Sequence, residues 1–534
     1  MPPRLPLPLL RLPPTYTLRR PLPPQRRLLT VLAIETSCDD TSIALLTSPT
    51  PHTATLLAHQ TVTSPNRIYG GIHPLVSTVS HATHLAPLLA AVIAQLGHKK
   101  PDFVAVTRGP GMPTALSIGL DTAKGLAVAW GVPLVGVNHM LAHTLTPRLV
   151  VALNAAAVER AAAERGEGAG AGAGAGDVAP ESAEESTATT ESTQVVSTPS
   201  SPAPAPAPES PIAASTSTST STSTSTLEPI LEITTPLKKN QIIQQPTPTE
   251  APQFPFLTLL VSGGHTQVVH SRSLTSHNVL VDTIDIALGD MLDKCARRLV
   301  PANVLATHGN SVAYGAALED FCFPAREGSE CRYGYRYTLP GGKARAAEDK
   351  AEAEEYGWEL SAPLSKTGPA MRRLEYSFSG LGSSVERCLK RRKKELGGVE
   401  IGEGERRALG RKVMVLAFEH VAARLVLGLE AMGEGERRGT CIADIPHQQR
   451  LPTHQDRSPP MKYCTDNAAM IAWAGLELYR AGWQTGLSAL PLKRWSMDDD
   501  VYIEGEEDRA EHGVGGVLGA QQWIKRNVEK EEES

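Results

Sequence analysis

Residues 31–46 read VLAIETSCDDTSIALL, and residues 256–270 read FLTLLVSGGHTQVVH. Each is an apolar run, a small polar turn and a second apolar run, which is the pattern of a buried β-hairpin. In the first the turn is Cys38-Asp39-Asp40, and in the second it is Ser262-Gly263-Gly264-His265. A strand, turn and strand met once in each half of a chain predicts a duplicated α/β domain with a cleft between the halves. Two unrelated hairpins satisfy the same pattern. Helical spacing of apolar residues over 76–96, 113–130 and 406–432 supplies the helices of an α/β architecture, and 465–479 reads as a further helix with Thr465 or Asp466 placed to cap it.

Between the halves the composition changes. An alternating Gly-Ala tract (Gly168 to Gly176), a Pro-Ala tract (Pro202 to Pro208) and a Ser-Thr repeat (Ser215 to Thr226) lack the large apolar side chains that offset the entropy of ordering a chain. Residues 151–254 are therefore expected to be a disordered insertion. The expected structured blocks are 30–150 and 255–503, with an acidic tail at 504–534. At the start, Arg4, Arg11, Arg19, Arg20, Arg26 and Arg27 precede the first acidic residue, Glu35. Arginine without acid is the composition of a mitochondrial presequence, expected over residues 1–29; a basic tail fits the same composition.

With 534 residues the chain can form two or three domains, and 41% apolar with 20% charged residues is a globular composition. A net charge of −5 excludes a chain-wide basic surface, so nucleic-acid contact must rest on a local patch. The densest run is RCLKRRKK (387–394), which reads either as an RNA-phosphate contact or as a solvated helix face. Seven cysteines without a C-x-x-C pair predict reduced thiols. No apolar run approaches the roughly 20 residues of a membrane span, and no membrane partner is expected.

Candidate chemistry sits at the turns. His139 and His143 in GVNHMLAHTL are four apart, so on a helix they share a face and can bind one metal ion; equally, Asn138-His139 can end a strand. The H-E-x-x-H protease pattern is absent. His81 and His84 lie on an apolar helix and read as packed or solvent-facing. The turn Ser262-Gly263-Gly264 brings backbone N–H groups to a phosphate, or is an ordinary hairpin loop. Glu35, Asp39 and Asp40 are candidate catalytic carboxylates that order water or Mg²⁺ or accept a proton, with turn chemistry as the alternative for the aspartates. Asp290 and Asp293 stand three apart on a helix, where they can reach a ribose hydroxyl or simply form an Asp-Lys helix start.

IETSCDDTSIALL (34–46), GGIHPLVS (70–77), GPGMPTALSIGLDTAKGLA (109–127), GVNHMLAH (136–143), LLVSGGHTQVV (259–269), GDMLDKCARRL (289–299), YSFSGL (376–381) and CTDNAAMIAWAG (464–475) follow one another in this order. That series closely resembles the tRNA threonylcarbamoyladenosine synthesis family, once labelled glycoproteases. The leader and LPLKRWSMDD (490–499) resemble its mitochondrial branch. The resemblance implies an actin-like, ribonuclease-H-like two-lobe fold. It implies transfer of a threonylcarbamoyl group from threonylcarbamoyl-adenylate, made by a separate synthase, to the adenosine beside the anticodon in mitochondrial-matrix tRNAs reading ANN codons. It implies one divalent ion, iron or zinc, per subunit on His139, His143 and Asp466, and donor contacts from Leu260, Val261, Ser262, Gly263, Gly264 and Asp293. A homodimer is left open. A small-molecule kinase of the same fold is the alternative enzyme.

One stretch departs from the family. After the helix at 406–432 the family has a strand and a Gly-Gly-Val-x-x-Asn-x-x-Leu-Arg nucleotide motif, where this chain has GTCIAD (439–444) and then IPHQQRLPTHQDRSPPMKY (445–463). A Gly-Gly-Pro motif expected after Leu299 is missing as well. The sequence predicts that a core strand is lost here, leaving the long helix without a sheet to cover it. Either residues 441–462 come from a mis-joined exon, or the chain is a non-catalytic tRNA-binding or partner-binding remnant.

Overall fold

The computed structural model describes residues 28–97, 99–169, 252–307, 314–324, 343–365, 369–434, 436, 441–443, 459–499, 516–520 and 522–526. Residues 1–27 of the expected presequence and about two thirds of the expected acidic tail lie outside these residues, as do the three low-complexity tracts apart from Gly168 and Ala169. The described residues up to Glu164 and from Pro252 onward belong to one compact unit.

The first quoted stretch becomes β1 (Leu29–Glu35) and β2 (Asp40–Thr50), followed by β3 (Thr53–Thr63), β4 (Phe103–Gly109) and β5 (Leu134–Asn138). β1 pairs antiparallel with β2 and parallel with β4, and β4 pairs parallel with β5. Side chains on a strand alternate between faces, and here the alternation sorts two cores. Leu32 and Ile34 pack with α1 (Pro74–Ile93) and α2 (Pro113–Trp130), while Val31 and Ala33 pack with α3 (His139–Ala169) and the helix Ala468–Arg480. Both faces are covered, which is why the strand is apolar from Val31 to Ile34.

The second stretch forms β6 (Phe256–Val261) and β7 (Thr266–Ser271), with β8 (His277–Thr283), β9 (Glu375–Tyr376) and β10 (Cys441–Ala443). Its sheet runs β10-β6-β7-β8-β9. With β11 (Trp483–Thr485) and β12 (Trp523–Lys525) at its edge, the first sheet runs β12-β11-β5-β4-β1-β2-β3. Counted from each hairpin, both sheets therefore place a third, second, first and then a later parallel strand side by side. Phe256 and Val269 of the second sheet join the core built on Val31 and Ala33 of the first.

Several boundaries differ from the sequence reading. α3 continues to Ala169, past Val150 where the insertion was expected to begin. The expected loss of a core strand is corrected: Cys441–Ala443 pairs in parallel register with Phe256–Thr258. Nor is the long helix left bare. It spans Glu403–Ala431, and its Leu409, Val413, Ala417, Val421 and Leu425 bury against the same core as Leu257, Val281 and α4 (Leu288–Leu299). The same core also holds Leu318, Phe321, Leu381 and Val385, so the helix is covered by more than the three ladder positions of β10. α1 and α3 are long and apolar enough to cross a bilayer, yet Leu85, Leu89 and Val92 of the first and Leu141, Leu145 and Leu149 of the second are buried in the protein core.

Candidate metal centre

In the first sheet three parallel strands end side by side, and ligands in α/β folds collect at such carboxyl ends. Glu35 closes β1, Thr107 lies near the end of β4, and His139 follows β5 directly. Asn138 sets the geometry: its Oδ1 accepts from the N–H groups of Met140 and Leu141 at 2.9 and 3.1 Å, so it caps α3 and starts the helix at His139. His143 then lies one turn on, and the two Nε2 atoms stand 3.2 Å apart.

The third group arrives from residues far along the chain. Asp466 Oδ1 lies 3.1 Å from His143 Nε2 and 3.4 Å from His139 Nε2. The expected cap of this second helix is corrected: the cap is Asn467, whose side chain accepts from Met470 N–H at 3.1 Å. Because Asn467 takes the capping duty, the carboxylate of Asp466 is free for the histidines. An asparagine thus opens each ligand-bearing helix, next to the ligand itself. The sequence held this signal in N-H-x-x-x-H and T-D-N-A, but neither asparagine was assigned a role.

Three ligand atoms 3.1–3.4 Å apart match a shared cation. Bonds of roughly 2.0–2.2 Å to a tetrahedral or octahedral ion hold neighbouring donors about 2.8–3.6 Å apart. Electrostatics select the same sign. Burial pushes the His139 imidazolium down, but Asp466 and Glu35 outweigh it and raise its pKa to about 10. Burial raises Asp466, yet His139 and His143 hold it well below the usual carboxylate range. The pocket favours a positive charge between these residues. Among the described residues, this is the group of histidine and carboxylate side chains placed to hold a metal.

The other expected site residues fall into distinct settings. Glu35 is fully buried behind His139. Asp39 and Asp40 are half-buried beside the centre, and burial raises both carboxyls, Asp40 to about 7 against the opposing hydrogen bond from Thr63 at 2.5 Å. Cys38, just before them, is an inert thiol, raised by burial and by Asp466. His81 is packed: it meets the Thr41 hydroxyl at 2.8 Å and the Cys38 carbonyl at 3.0 Å, bracing the turn from below.

Across a pocket lined by His143, Leu260, Val261, Ser262, Tyr463 and Cys464 lies the glycine turn. Val261, Ser262, Gly263 and Gly264 are exposed, and a Cβ on either glycine would meet nothing within 4 Å. Two N–H groups expected to face a phosphate, those of Gly264 and His265, instead donate to Ser262 Oγ at 3.2 and 3.0 Å. The His265 imidazole is held to about 4 by burial and by the two ligand histidines, and so stays neutral. Asp293 is half-buried: its Oδ1 accepts from Gly315 N–H at 2.7 Å, and burial raises it to about 6.

The basic run 387–394 is largely neutralised. Lys390 pairs with Glu386, Arg391 with Glu395, Arg392 with Glu395 and Glu405, and Lys393 with Glu400. It is an ion-paired helix face, not a bare cationic patch.

Fold and site together define an α/β protein with a His-His-Asp centre facing a glycine turn. The family model described as "tRNA N6-adenosine threonylcarbamoyltransferase" (TsaD) matches residues 55–159 and 240–473, well over half of the chain. The chain belongs to that family. It is similar to the mitochondrial tRNA N6-adenosine threonylcarbamoyltransferase of Schizosaccharomyces pombe, 26% identical over 90% of this chain and 89% of that protein. The protein of the same name from Dinoroseobacter shibae is 27% identical over 88% of this chain and 95% of that one. Among solved structures, YeaZ from Pseudomonas aeruginosa matches 22% of this chain and about half of its own, 48%, at 26% identity and a TM-score of 0.17, too low to bear on the fold.

Proposed function

We propose that this chain transfers a threonylcarbamoyl group from threonylcarbamoyl-adenylate to the N6 amine of adenosine in tRNA. The observation that carries the reading is the meeting of His139, His143 and Asp466 in a chain of this family. The fold is then a duplicated actin-like one, supported by the shared strand order of the two sheets. The acceptor is the adenosine beside the anticodon in mitochondrial tRNAs reading ANN codons, and the place of work is the matrix. The mitochondrial relative supports the compartment. A separate synthase supplies the adenylate.

The amine nitrogen attacks the carbamoyl carbon, the bond to the phosphate oxygen breaks, and AMP leaves. A bound iron or zinc ion would supply positive charge beside the donor's phosphate. Asp40 accepts the proton that the amine gives up, because a carboxyl near 7 is matched to proton transfer at neutral pH. Asp39 orients it from the same turn. Ser262, Gly263 and Gly264 hold the adenylate on their open face, with Leu260 and Val261 beneath it; Asp293, whose Oδ1 already accepts from Gly315 N–H, reaches a ribose hydroxyl with its second oxygen. Catalysis is then mainly orientation and charge stabilisation.

The test is direct. Incubate the purified protein with threonine, bicarbonate, ATP, the synthase and mitochondrial tRNA, then digest and look for threonylcarbamoyladenosine. Absence of the nucleoside, beside an active relative, defeats the reading. The missing Asn motif in residues 439–462 supports a second one, a remnant that binds tRNA or a partner without catalysis. Titration with a non-hydrolysable adenylate separates them, since micromolar binding excludes a dead nucleotide site.

A further inference from the structure

Glu35 has a place in this centre different from that of Asp39 and Asp40. Its carboxylate is fully buried. Oε1 accepts the N–H of Ser37 at 2.5 Å, and Oε2 accepts the hydroxyl of Thr107. The remaining neighbour is His139, whose Nδ1 lies 3.4 Å from Glu35 Oε2 and 3.2 Å from Ser37 Oγ. With both oxygens committed and no surface exposed, Glu35 has no path to a substrate proton.

The contact lies on the far side of the imidazole from Asp466, which meets Nε2. A neutral imidazole carries one N–H and one lone pair. When the N–H sits on Nδ1 facing an anionic carboxylate, the lone pair must sit on Nε2, facing the metal position. At 3.4 Å the contact exceeds the usual 2.7–3.2 Å of an N–H···O bond, so charge carries most of it. The carboxylate cannot drift, because Ser37 fixes it from the turn after β1 and Thr107 from β4, while His139 follows β5 directly.

We infer that Glu35 is a positioning residue that fixes the tautomer and aim of His139, so that Nε2 is offered to the metal. The inference rests on the metal reading given above. Outer partners of metal-bound histidines are typically worth about 10–100-fold in metal affinity.

The experiment measures Co²⁺ and Zn²⁺ affinity of the metal-stripped full-length protein by chelator competition. The proteins compared are wild type, Glu35→Gln, Glu35→Ala, Glu35→Asp and His143→Ala. Glu35→Ala should bind about 10–100-fold more weakly, and Glu35→Gln should recover much of the loss because its amide oxygen still accepts from Nδ1–H. The Co²⁺ visible spectrum of Glu35→Ala should shift as the ligand field loosens. If Glu35→Ala fails to fold by circular dichroism, Glu35→Asp, whose shorter side chain withdraws the carboxylate from Nδ1, decides in its place: a loss above about threefold supports the role, and a smaller one overturns it. Unchanged affinity in the Glu35 variants with transfer abolished makes Glu35 a proton acceptor and overturns the inference. Unchanged affinity with transfer intact overturns it too. If His143→Ala also binds metal normally, the metal reading itself has failed; if only the Glu35 variants do, that reading stands without this inference.

Discussion

The two hairpin turns share a sequence logic and differ in almost everything else. Glu35, Thr36 and Ser37 are buried, and the turn that follows is gripped from three sides: by His81, by Ser64, whose N–H and hydroxyl both reach the Asp39 carbonyl, and by Met112, whose N–H reaches the Ser37 carbonyl at 2.9 Å. Ser262, Gly263 and Gly264 stand exposed, tied mainly to their own Ser262 hydroxyl and to the N-terminus of α4. One turn lies packed beside the candidate metal centre formed by His139, His143 and Asp466. The other presents an open face to the pocket. The same strand-turn-strand pattern is thus gripped by its neighbours in one half of the chain and left exposed in the other.

The severest way to break this comparison is to remove a ligand. His139→Ala, His143→Ala or Asp466→Ala should each strip the metal, measured by mass spectrometry, and lower transfer by at least about 100-fold, because one lost ligand opens the coordination shell. Unchanged metal content in all three removes the centre from the fixed turn.

Next comes the half-buried edge of that turn. Asp40→Asn should reduce transfer by about 10²–10⁴-fold, the usual range for a lost general base. A base works deprotonated, so wild-type transfer should fall as pH drops below about 7, the value to which burial raises Asp40. The Asn variant should lack that acidic limb. A wild-type rate that is flat from pH 8 to pH 5 argues that Asp40 takes no proton.

Glycines give a direct comparison of packing. A Cβ on Gly111 would sit 2.8 Å from the Ser37 carbonyl oxygen and 2.9 Å from its Cβ, whereas one on Gly263 meets open space. Gly111→Ala should cost about 1–3 kcal/mol by overpacking and lower the melting temperature by several degrees. Gly263→Ala should change stability by less than about 0.5 kcal/mol, and its effect should appear in adenylate affinity instead. Equal melting temperatures for the two variants would sink the distinction between a packed and an open turn.

The hairpins, the helices expected at 76–96, 113–130, 406–432 and 465–479 and the His pair were legible because each is a local pattern: periodicity, spacing and turn chemistry. Asp466 joined the site only through resemblance, since no local rule ties residue 466 to residues 139 and 143. The roles of Asn138 and Asn467 were hidden because a cap is defined by where the helix starts, and boundaries are the weakest part of a pattern reading. Glu35 looked like its neighbours Asp39 and Asp40 for a related reason. Alternation along β1 and the parallel partners β4 and β5 bury it, and pairing across a sheet is not written in a local stretch. The pairing of Cys441–Ala443 with β6 escaped in the same way.

The smallest effect belongs to Asp293, on the helix that props the open turn. α4 packs so closely there that a Cβ on Gly289 would lie 2.6 Å from the Ser262 carbonyl oxygen. One turn along, burial raises the Asp293 carboxyl to about 6 even though Gly315 N–H stabilises its charged form. An unfolded aspartate titrates near about 3.9. Between those two values the folded protein binds the proton more tightly than the unfolded chain does, so stability falls as pH rises from about 4 to about 6. Asp293→Asn keeps an oxygen for Gly315 and removes the titration. The melting temperature of the variant relative to wild type should therefore climb as pH rises through this window and level off above about 7. A difference independent of pH would mean that Asp293 titrates as a solvated carboxylate, and that the second turn rests on a looser support than its contacts with α4 indicate.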